Sequence, residues 1–318
     1  MNITKHYSAT QILILVLLIS AIILSLTGCT PEKIDTKVGA NNYLPLLSVF
    51  VSIEPQKYFV ERIGGEYVSV EVMVKQGQNP ATYEPTPIQI TKLGNSSAFF
   101  SIGVPFEKAF LNQISSNLPD LNLVDTSEGI EKRKITGHDH EENSDSEDHN
   151  KTEQFDPHIW MSPILVQKQA TTILETLIKL KPENSKIFTE NYNQFISDLN
   201  KVHQELLAVL ANLKGSTMFV YHPSFGYFAD LYGLKQLAIE EAGKEPSPRI
   251  LETIIEEIIK QNVKIIFVQP EFQSNSIKII TDATSAAVVS VNPLSYNYLD
   301  NLSYIANTLD KSLKKDSE

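Results

Sequence analysis

From Leu46 onward, short runs of β-branched and other apolar residues alternate with segments whose apolar positions recur every three or four residues. The short runs predict strands that are buried on both faces, and the periodic segments predict amphipathic helices. Strands are predicted at 46–53, 68–74, 98–102, 121–124, 217–221, 237–239, 265–269 and 288–291. Because strands that alternate with helices form parallel sheets covered by helices, the predicted fold class is α/β.

The longest periodic segment begins at Pro182 and carries apolar residues at helical spacing from Ile187 to Leu213. A helix of that length would extend ~45 Å and could connect two lobes. We therefore predict two βα lobes with central parallel sheets, joined by one long linking helix. The predicted boundaries are an N-terminal lobe at 44–181, a linking helix at 182–214 and a C-terminal lobe at 215–318. Ligands of such folds bind between lobes and at the carboxyl ends of the strands.

The amino-terminal residues have the pattern of an export signal. An apolar run from Ile12 to Leu26 follows Lys5, and its length suits a signal peptide better than a membrane span. The residues that end at Cys29, the single cysteine, resemble a bacterial lipobox. We predict a signal peptide at 1–28, a lipid on Cys29 and a polar tether at 29–43, which would place the protein at the outer face of a membrane. The alternative is a signal anchor with an incidental cysteine.

Composition and charge narrow the possible ligands. The chain has 318 residues, of which 42% are hydrophobic, and a net charge of −11, so it is globular but poorly suited to binding nucleic acid.

Residues 137–150 are almost all His, Asp, Glu, Asn or Ser. Such residues cannot form a hydrophobic core, and this composition predicts a mobile loop. Its histidines, mixed with carboxylates, can collect divalent cations loosely, or the loop is a solvated spacer. These histidines are His138, His140 and His149.

Two further histidines lie in confined surroundings. His158 stands between Pro157 and two large apolar residues, so it is either a metal ligand or a buried, hydrogen-bonded core residue. His222 follows a predicted strand, at the edge of the sheet where α/β proteins place ligand groups. His203 lies within the predicted linking helix and is interpreted as a solvated helix residue.

In this order along the chain, four segments resemble those of the metal-binding lipoproteins of zinc and manganese ABC importers, a solute-binding family with a rigid linking helix. They are 50–55 (Phe-Val-Ser-Ile-Glu-Pro), 79–87 (Asn-Pro-Ala-Thr-Tyr-Glu-Pro-Thr-Pro), 156–163 (Asp-Pro-His-Ile-Trp-Met-Ser-Pro) and 221–225 (Tyr-His-Pro-Ser-Phe). The resemblance covers nearly the whole chain after Cys29. It implies a protein that captures a divalent metal ion outside the cytoplasm, with His158 and His222 as ligands. The implied partners are an importer permease and its ATPase.

The chain departs from that family at two ligand positions. Ala81 stands where the family has its first metal-binding histidine, and Asn297 stands near the carboxylate of manganese-type members. Two imidazoles leave a zinc ion short of its usual four donors. The remaining donors would be water, the loop histidines or a nearby polar side chain. The candidate side chains are Gln78, Asn79, Glu84, Glu240 and Glu241.

The donor types favour zinc as the transported ion, because imidazole suits zinc, copper and nickel better than manganese. The alternative is a binding protein of the same fold for a metal chelate or a non-metal solute, which Ala81 makes a real possibility. A hydrolase is a third possibility, since Ser224 lies two residues after His222. The chain has neither a Gly-x-Ser-x-Gly elbow nor a His-Glu-x-x-His helix, so we expect no enzymatic activity.

Overall fold

The structure is a computed structural model that describes residues 46–135, 155–240, 245–272 and 274–313. Several predicted features lie outside these residues and stay predictions. They are the signal peptide at 1–28, the lipidated Cys29, the tether at 29–43, the histidines His138, His140 and His149, and Glu241.

The N-terminal lobe is a parallel sheet with helices between its strands. The strands are β1 (Leu47–Ile53), β2 (Val68–Val74), β3 (Ala98–Ser101) and β4 (Asn122–Asp125). The helices are α1 (Glu54–Gly64), α2 (Pro87–Leu93) and α3 (Glu107–Asn117). The strand order is β2-β1-β3-β4, and every pairing is parallel. Nearly every side chain of β1 is buried, as expected of a central strand that helices cover on both faces.

The C-terminal lobe repeats this plan. Its strands are β5 (Thr217–Val220), β6 (Lys235–Ala238), β7 (Ile265–Val268) and β8 (Ala287–Ser290), and its helices are α6 (Gly226–Tyr232), α7 (Pro248–Lys260), α8 (Asn275–Thr284) and α9 (Tyr298–Leu313). The order is β6-β5-β7-β8, again all parallel. Each lobe therefore reverses its strand order beside its first strand, and such a reversal leaves a crevice at the carboxyl ends of the strands.

One long helix connects the lobes. It is α5 (Ser185–Leu210), which follows α4 (Pro163–Leu180) and is flanked by 3-10 turns at Pro182–Asn184 and Ala211–Leu213. The predicted linking helix is confirmed, although its first and last turns are 3-10 rather than α-helical. The buried face of α5 includes Phe188, Phe195, Leu199, Val202, Leu206 and Leu210, at the spacing that the sequence predicted.

The element boundaries follow from local signals. Ser162 and Ser247 each accept a hydrogen bond from a backbone N–H in the first turn of the helix that follows, and a proline comes next in both cases. Gly65 ends α1 with a φ of 56°, which favours glycine. The eight predicted strands are all present, and their ends agree with the predicted ones to within two residues.

One hydrophobic core runs from the N-terminal sheet through α5 to α9, so the lobes are packed together rather than joined by a hinge alone. Two hydrogen bonds reinforce this contact. Trp160 donates its indole N–H to the carbonyl oxygen of Pro293 at 2.8 Å, and the hydroxyl of Tyr298 donates to the carbonyl oxygen of Trp160 at 2.7 Å. Within the described residues, no helix has both the length and the apolar character to cross a bilayer.

Candidate metal centre

His158 projects from the loop that leads into α4, and its position is set by Asp156. The carboxylate oxygen Oδ1 of Asp156 lies 2.7 Å from His158 Nδ1 and accepts the backbone N–H of His158 at 3.0 Å. Asp156 is fully buried. Burial alone would raise the pKa of Asp156, but the charge of His158 and the hydrogen bonds from His158 and Arg133 outweigh it and lower that pKa. The carboxylate therefore stays ionised and orients the imidazole.

Arg133 forms an ion pair with Asp156 and connects it to the C-terminal lobe. Its Nη1 lies 3.0 Å from Oδ2 of Asp156, and its Nε lies 2.9 Å from Oδ2 of Asp230 on α6. The hydroxyl of Tyr227 accepts the backbone N–H of Arg133 and donates to the carbonyl oxygen of Asp156. This packing depends on Gly226, because a Cβ there would lie 1.6 Å from Nη1 of Arg133.

His222 lies just past the carboxyl end of β5, where two side chains fix it. The side-chain amide of Gln269 donates to the carbonyl oxygen of His222 at 2.7 Å and accepts its backbone N–H at 3.2 Å. Oε2 of Glu240 lies 3.0 Å from His222 Nδ1. The ring of Phe272 stacks on the imidazole with centroids 4.8 Å apart. The ring of His222 is thus held as firmly as that of His158, by different elements.

The two imidazoles meet at the seam between the lobes, with 3.3 Å between their Nε2 atoms. A carboxylate at each Nδ1 draws the ring proton to that nitrogen, which leaves both Nε2 lone pairs facing each other. Facing lone pairs repel unless a cation lies between them. Two nitrogens bound to one tetrahedral zinc at about 2.0–2.1 Å would be about 3.3–3.4 Å apart. The observed spacing therefore suits a shared metal ion.

The other predicted donors are not assembled around this pair. Asn79 and Ala81 line the adjoining cavity, and Oδ1 of Asn79 accepts the backbone N–H of Ala81 at 2.8 Å. Gln78, Glu84 and Asn297 are exposed, and Glu240 contacts the Nδ1 side of His222 rather than its Nε2. His203 lies on α5, where Nδ1 is 3.1 Å from the hydroxyl of Tyr232. In the part of the chain that the structure describes, no three His, Cys, Asp or Glu side chains are grouped to hold a metal.

The segment after β7 contributes side chains to the site that were not predicted from the sequence. Gln269 holds the backbone of His222, while Glu271 and Phe272 line the cavity in front of it. Burial raises the pKa of Glu271, against a hydrogen bond with its own backbone and the charge of His222. The signal was available, because polar residues that directly follow a buried strand lie at the carboxyl edge of the sheet. Arg133 carried no such signal.

A cavity of about 470 Å³ opens in front of the two imidazoles, and most of its wall is apolar. The buried carboxyl of Glu107 forms part of its base. This carboxyl accepts hydrogen bonds from the hydroxyl of Ser52 and from the N–H groups of Ile102 and Gly103, the latter at 2.7 Å. Glu107 therefore fastens the carboxyl end of β1 to the turn after β3.

Two parallel βα lobes, a long linking helix and a cleft at the carboxyl ends of both sheets define a metal-binding solute-binding protein of the ABC-importer type. The chain belongs to the family described as ZnuA, zinc-uptake complex component A periplasmic, whose family model matches residues 49–312. The resemblance stated above and the predicted fold class are thereby confirmed. The family consists of extracytoplasmic transport proteins rather than enzymes, and the ligand that it carries is a divalent metal ion.

Individual relatives agree with this assignment. The high-affinity zinc uptake system protein ZnuA of Yersinia pestis is 25% identical over 277 residues, which cover 81% of this chain and 86% of that protein. The zinc-binding protein AdcA of Streptococcus pyogenes serotype M3 is 26% identical over 260 residues, which cover 78% of this chain but only 50% of AdcA. The crystal structure of a ZnuA deletion mutant with zinc bound superposes with a TM-score of 0.77 at 33% identity, and covers 86% of this chain and 100% of its own.

The Gly226→Ala substitution tests whether Gly226 leaves the space that the Arg133 guanidinium needs beside Asp156. We expect it to destabilise the metal-free protein by about 1–3 kcal/mol, because the added methyl group must displace the Arg133 guanidinium. Arg133→Ala by itself lowers the free energy of unfolding, but in the double variant only the contact of the added methyl group with Oδ2 of Asp156, at 2.7 Å, remains, so Gly226→Ala should destabilise Arg133→Ala less than it destabilises wild type. Urea unfolding of the four proteins measures this coupling. Strictly additive effects would show that Gly226 and Arg133 do not compete for the same space.

The buried carboxyl of Glu107 should make the stability of the folded protein depend on pH. Burial raises its pKa from 4.5 to about 7, against its hydrogen bonds. Its contribution to stability is therefore fully present below its ordinary pKa and is lost as the pH rises through about 7. Glu107→Gln cannot titrate, so its melting temperature relative to wild type should rise between about pH 5 and about pH 8. Glu128→Gln, at an exposed carboxylate, is the matched control, and a melting-temperature difference for Glu107→Gln that does not change with pH would refute the assignment.

Proposed function

We propose that this protein captures zinc outside the cytoplasm through His158 and His222 and delivers it to an ABC importer. The observation that carries the proposal is the 3.3 Å separation of the two Nε2 atoms, which matches the spacing of two donors on one tetrahedral zinc. Each imidazole also has a buried carboxylate at Nδ1, the usual partner of a metal-binding histidine. The permease and the ATPase of that importer are the partners that this function requires.

Charge and donor type favour zinc over manganese. Asp156 and Glu240 bring two carboxylates to the site and Arg133 one positive charge, so a divalent cation offsets an excess of negative charge. Neutral imidazoles bind zinc more strongly than manganese, which prefers oxygen-rich sites. The relatives named above include zinc-uptake and zinc-binding proteins, which supports the same choice.

Two further parts of the proposal concern residues beyond those described. Lipidation of Cys29 would anchor the protein to the membrane beside its importer. The histidines of residues 137–150 would gather metal ions near the site. Ile135 and Phe155, the described residues on either side of this segment, both line the cavity, and Lys134 pairs with Phe155 in an antiparallel bridge. The described residues that flank this segment therefore lie at the cavity.

The double variant His158→Ala, His222→Ala tests the site itself. We expect its zinc affinity to fall by at least about 100-fold, because both nitrogen donors are lost. Competitive titration against a zinc-sensitive dye, with metal analysis of the purified proteins, measures the change. His203→Ala is the matched control and should bind zinc like wild type, since its ring contacts Tyr232 instead. Equal zinc content in the double variant and wild type would end the proposal.

Glu240→Gln tests the carboxylate behind His222. A neutral amide accepts the hydrogen bond from Nδ1–H more weakly than a carboxylate does, so Nε2 becomes a weaker electron-pair donor to the metal. We therefore expect zinc affinity to fall roughly 10–100-fold. Glu128→Gln removes an exposed carboxylate and should leave the affinity unchanged. Unaltered binding by Glu240→Gln would mean that the contact at 3.0 Å does not orient the ligand.

A further inference from the structure

The helix α6 follows the loop of His222 directly, so one short stretch of chain reaches both halves of the imidazole pair. His222 lies in the loop that leads into α6, and Gly226, Tyr227 and Asp230 belong to the helix itself. The helix residues contact the groups that hold the other imidazole: Tyr227 donates to the carbonyl oxygen of Asp156, and Asp230 pairs with Arg133. The same stretch therefore carries one histidine and supports the other.

Hydrogen bonds fix this stretch at its His222 end. Gln269 holds the backbone of His222 and also donates to the hydroxyl of Ser224 at 2.9 Å. The side-chain oxygen of Gln236, on β6, accepts the backbone N–H of Phe225 at 2.7 Å. Ser224 and Phe225 are fully buried. The start of α6 is thus attached to two strands of its sheet and keeps a fixed position relative to His222.

From α6 the contacts continue to His158 through a chain of charged groups. Oδ2 of Asp230 lies 2.9 Å from Nε of Arg133. Nη1 of Arg133 donates to Oδ2 of Asp156 at 3.0 Å, and Oδ1 of Asp156 lies 2.7 Å from Nδ1 of His158. The arginine therefore contacts two carboxylates through two separate nitrogens, which the planar guanidinium allows and a single ammonium does not.

Both oxygens of Asp156 are occupied, and this determines the orientation of the His158 ring. Oδ1 faces Nδ1 of His158 and accepts its backbone N–H, while Oδ2 is held by Arg133. A carboxylate that is bound at both oxygens resists rotation, so the imidazole hydrogen-bonded to it keeps one orientation. Without the guanidinium, the buried carboxylate would have a free oxygen and could turn away from the ring.

We propose that Arg133 and Asp230 are positioning residues of the metal centre, which keep Nε2 of His158 at the distance from Nε2 of His222 that a shared metal ion needs. Asp230 is 61% exposed and lines a separate surface depression, where Lys214 is the other charged residue. A carboxylate at the surface thus influences the zinc affinity of the buried pair. This inference rests on the proposed function, since the positions of the rings affect affinity only if both bind the metal.

Arg133→Lys separates positioning from charge. The variant keeps a positive charge beside Asp156, but one ammonium cannot replace the two nitrogens that contact Asp156 and Asp230. We expect zinc affinity to fall roughly tenfold, with faster zinc dissociation, because the imidazole is less firmly oriented. Competitive titration and stopped-flow release to a chelating dye measure both quantities on the purified full chain. Wild-type affinity in this variant would assign any role of Arg133 to its charge alone and overturn the inference.

Asp230→Asn interrupts the same chain of contacts at its exposed end, where the fold is least disturbed. Zinc affinity should fall roughly two- to fivefold, the worth of a partly exposed ion pair. In the double variant with Arg133→Lys, the combined loss should be smaller than the product of the two single losses, because both changes break one bridge. If Arg133→Lys does not fold, Asp230→Asn alone decides.

Asp198→Asn is the matched control. Asp198 pairs with Arg62 at 2.6 Å, and neither residue lines the cavity. This variant also loses one negative charge and one ion pair, so urea unfolding should show a lower stability, while zinc affinity should stay at the wild-type value. Equal losses of zinc affinity in the two aspartate variants would attribute the effect to general destabilisation and overturn the inference.

The outcomes distinguish this inference from the function on which it rests. If Arg133→Lys and Asp230→Asn bind zinc like wild type, while substitution of His158 and His222 removes binding, positioning through α6 is excluded and zinc capture stands. If wild type itself retains no zinc, the proposed function fails and this inference fails with it.

Discussion

The site depends on burying two carboxylates directly behind two imidazoles that face each other. Asp156 and Glu240 are almost fully excluded from water, and a buried carboxylate is costly unless hydrogen bonds or positive charge compensate it. Each therefore accepts a hydrogen bond from Nδ1–H of its histidine, and Arg133 adds a positive charge beside Asp156. The two Nε2 atoms are then left facing each other 3.3 Å apart, an arrangement that a shared cation stabilises.

The fold supplies the rigidity that this arrangement needs. His222 lies at the carboxyl end of β5, beside the strand-order reversal of its sheet, while His158 precedes α4 in the loop from the other lobe. A shared hydrophobic core and the hydrogen bonds of Trp160 hold the two loops against each other. Because interiors are closely packed, small displacements of one lobe meet resistance, and the nitrogen–nitrogen distance is thereby kept.

Ala81 changes the site more than a single substitution in a loop would suggest. In a protein with two histidines at the seam, the third donor decides whether the metal is enclosed by protein or remains open on one side. With a methyl group at that position, the side chain of Ala81 offers no donor atom to the cavity in front of the imidazole pair.

The sequence by itself determined the secondary structure and the linking helix, because these depend on short-range effects: helical spacing along α5, serine caps at Ser162 and Ser247, and a proline after each. It offered His158 and His222 as ligand candidates only together with the resemblance to a known family, since each histidine on its own was open to another interpretation. Only the tertiary structure decided what surrounds the histidines. Gln269 and Glu240 reach His222 across 47 and 18 residues of chain, and Arg133 reaches Asp156 across 23. No local pattern encodes such pairings, because they exist only once the sheets have formed and the two lobes have packed together.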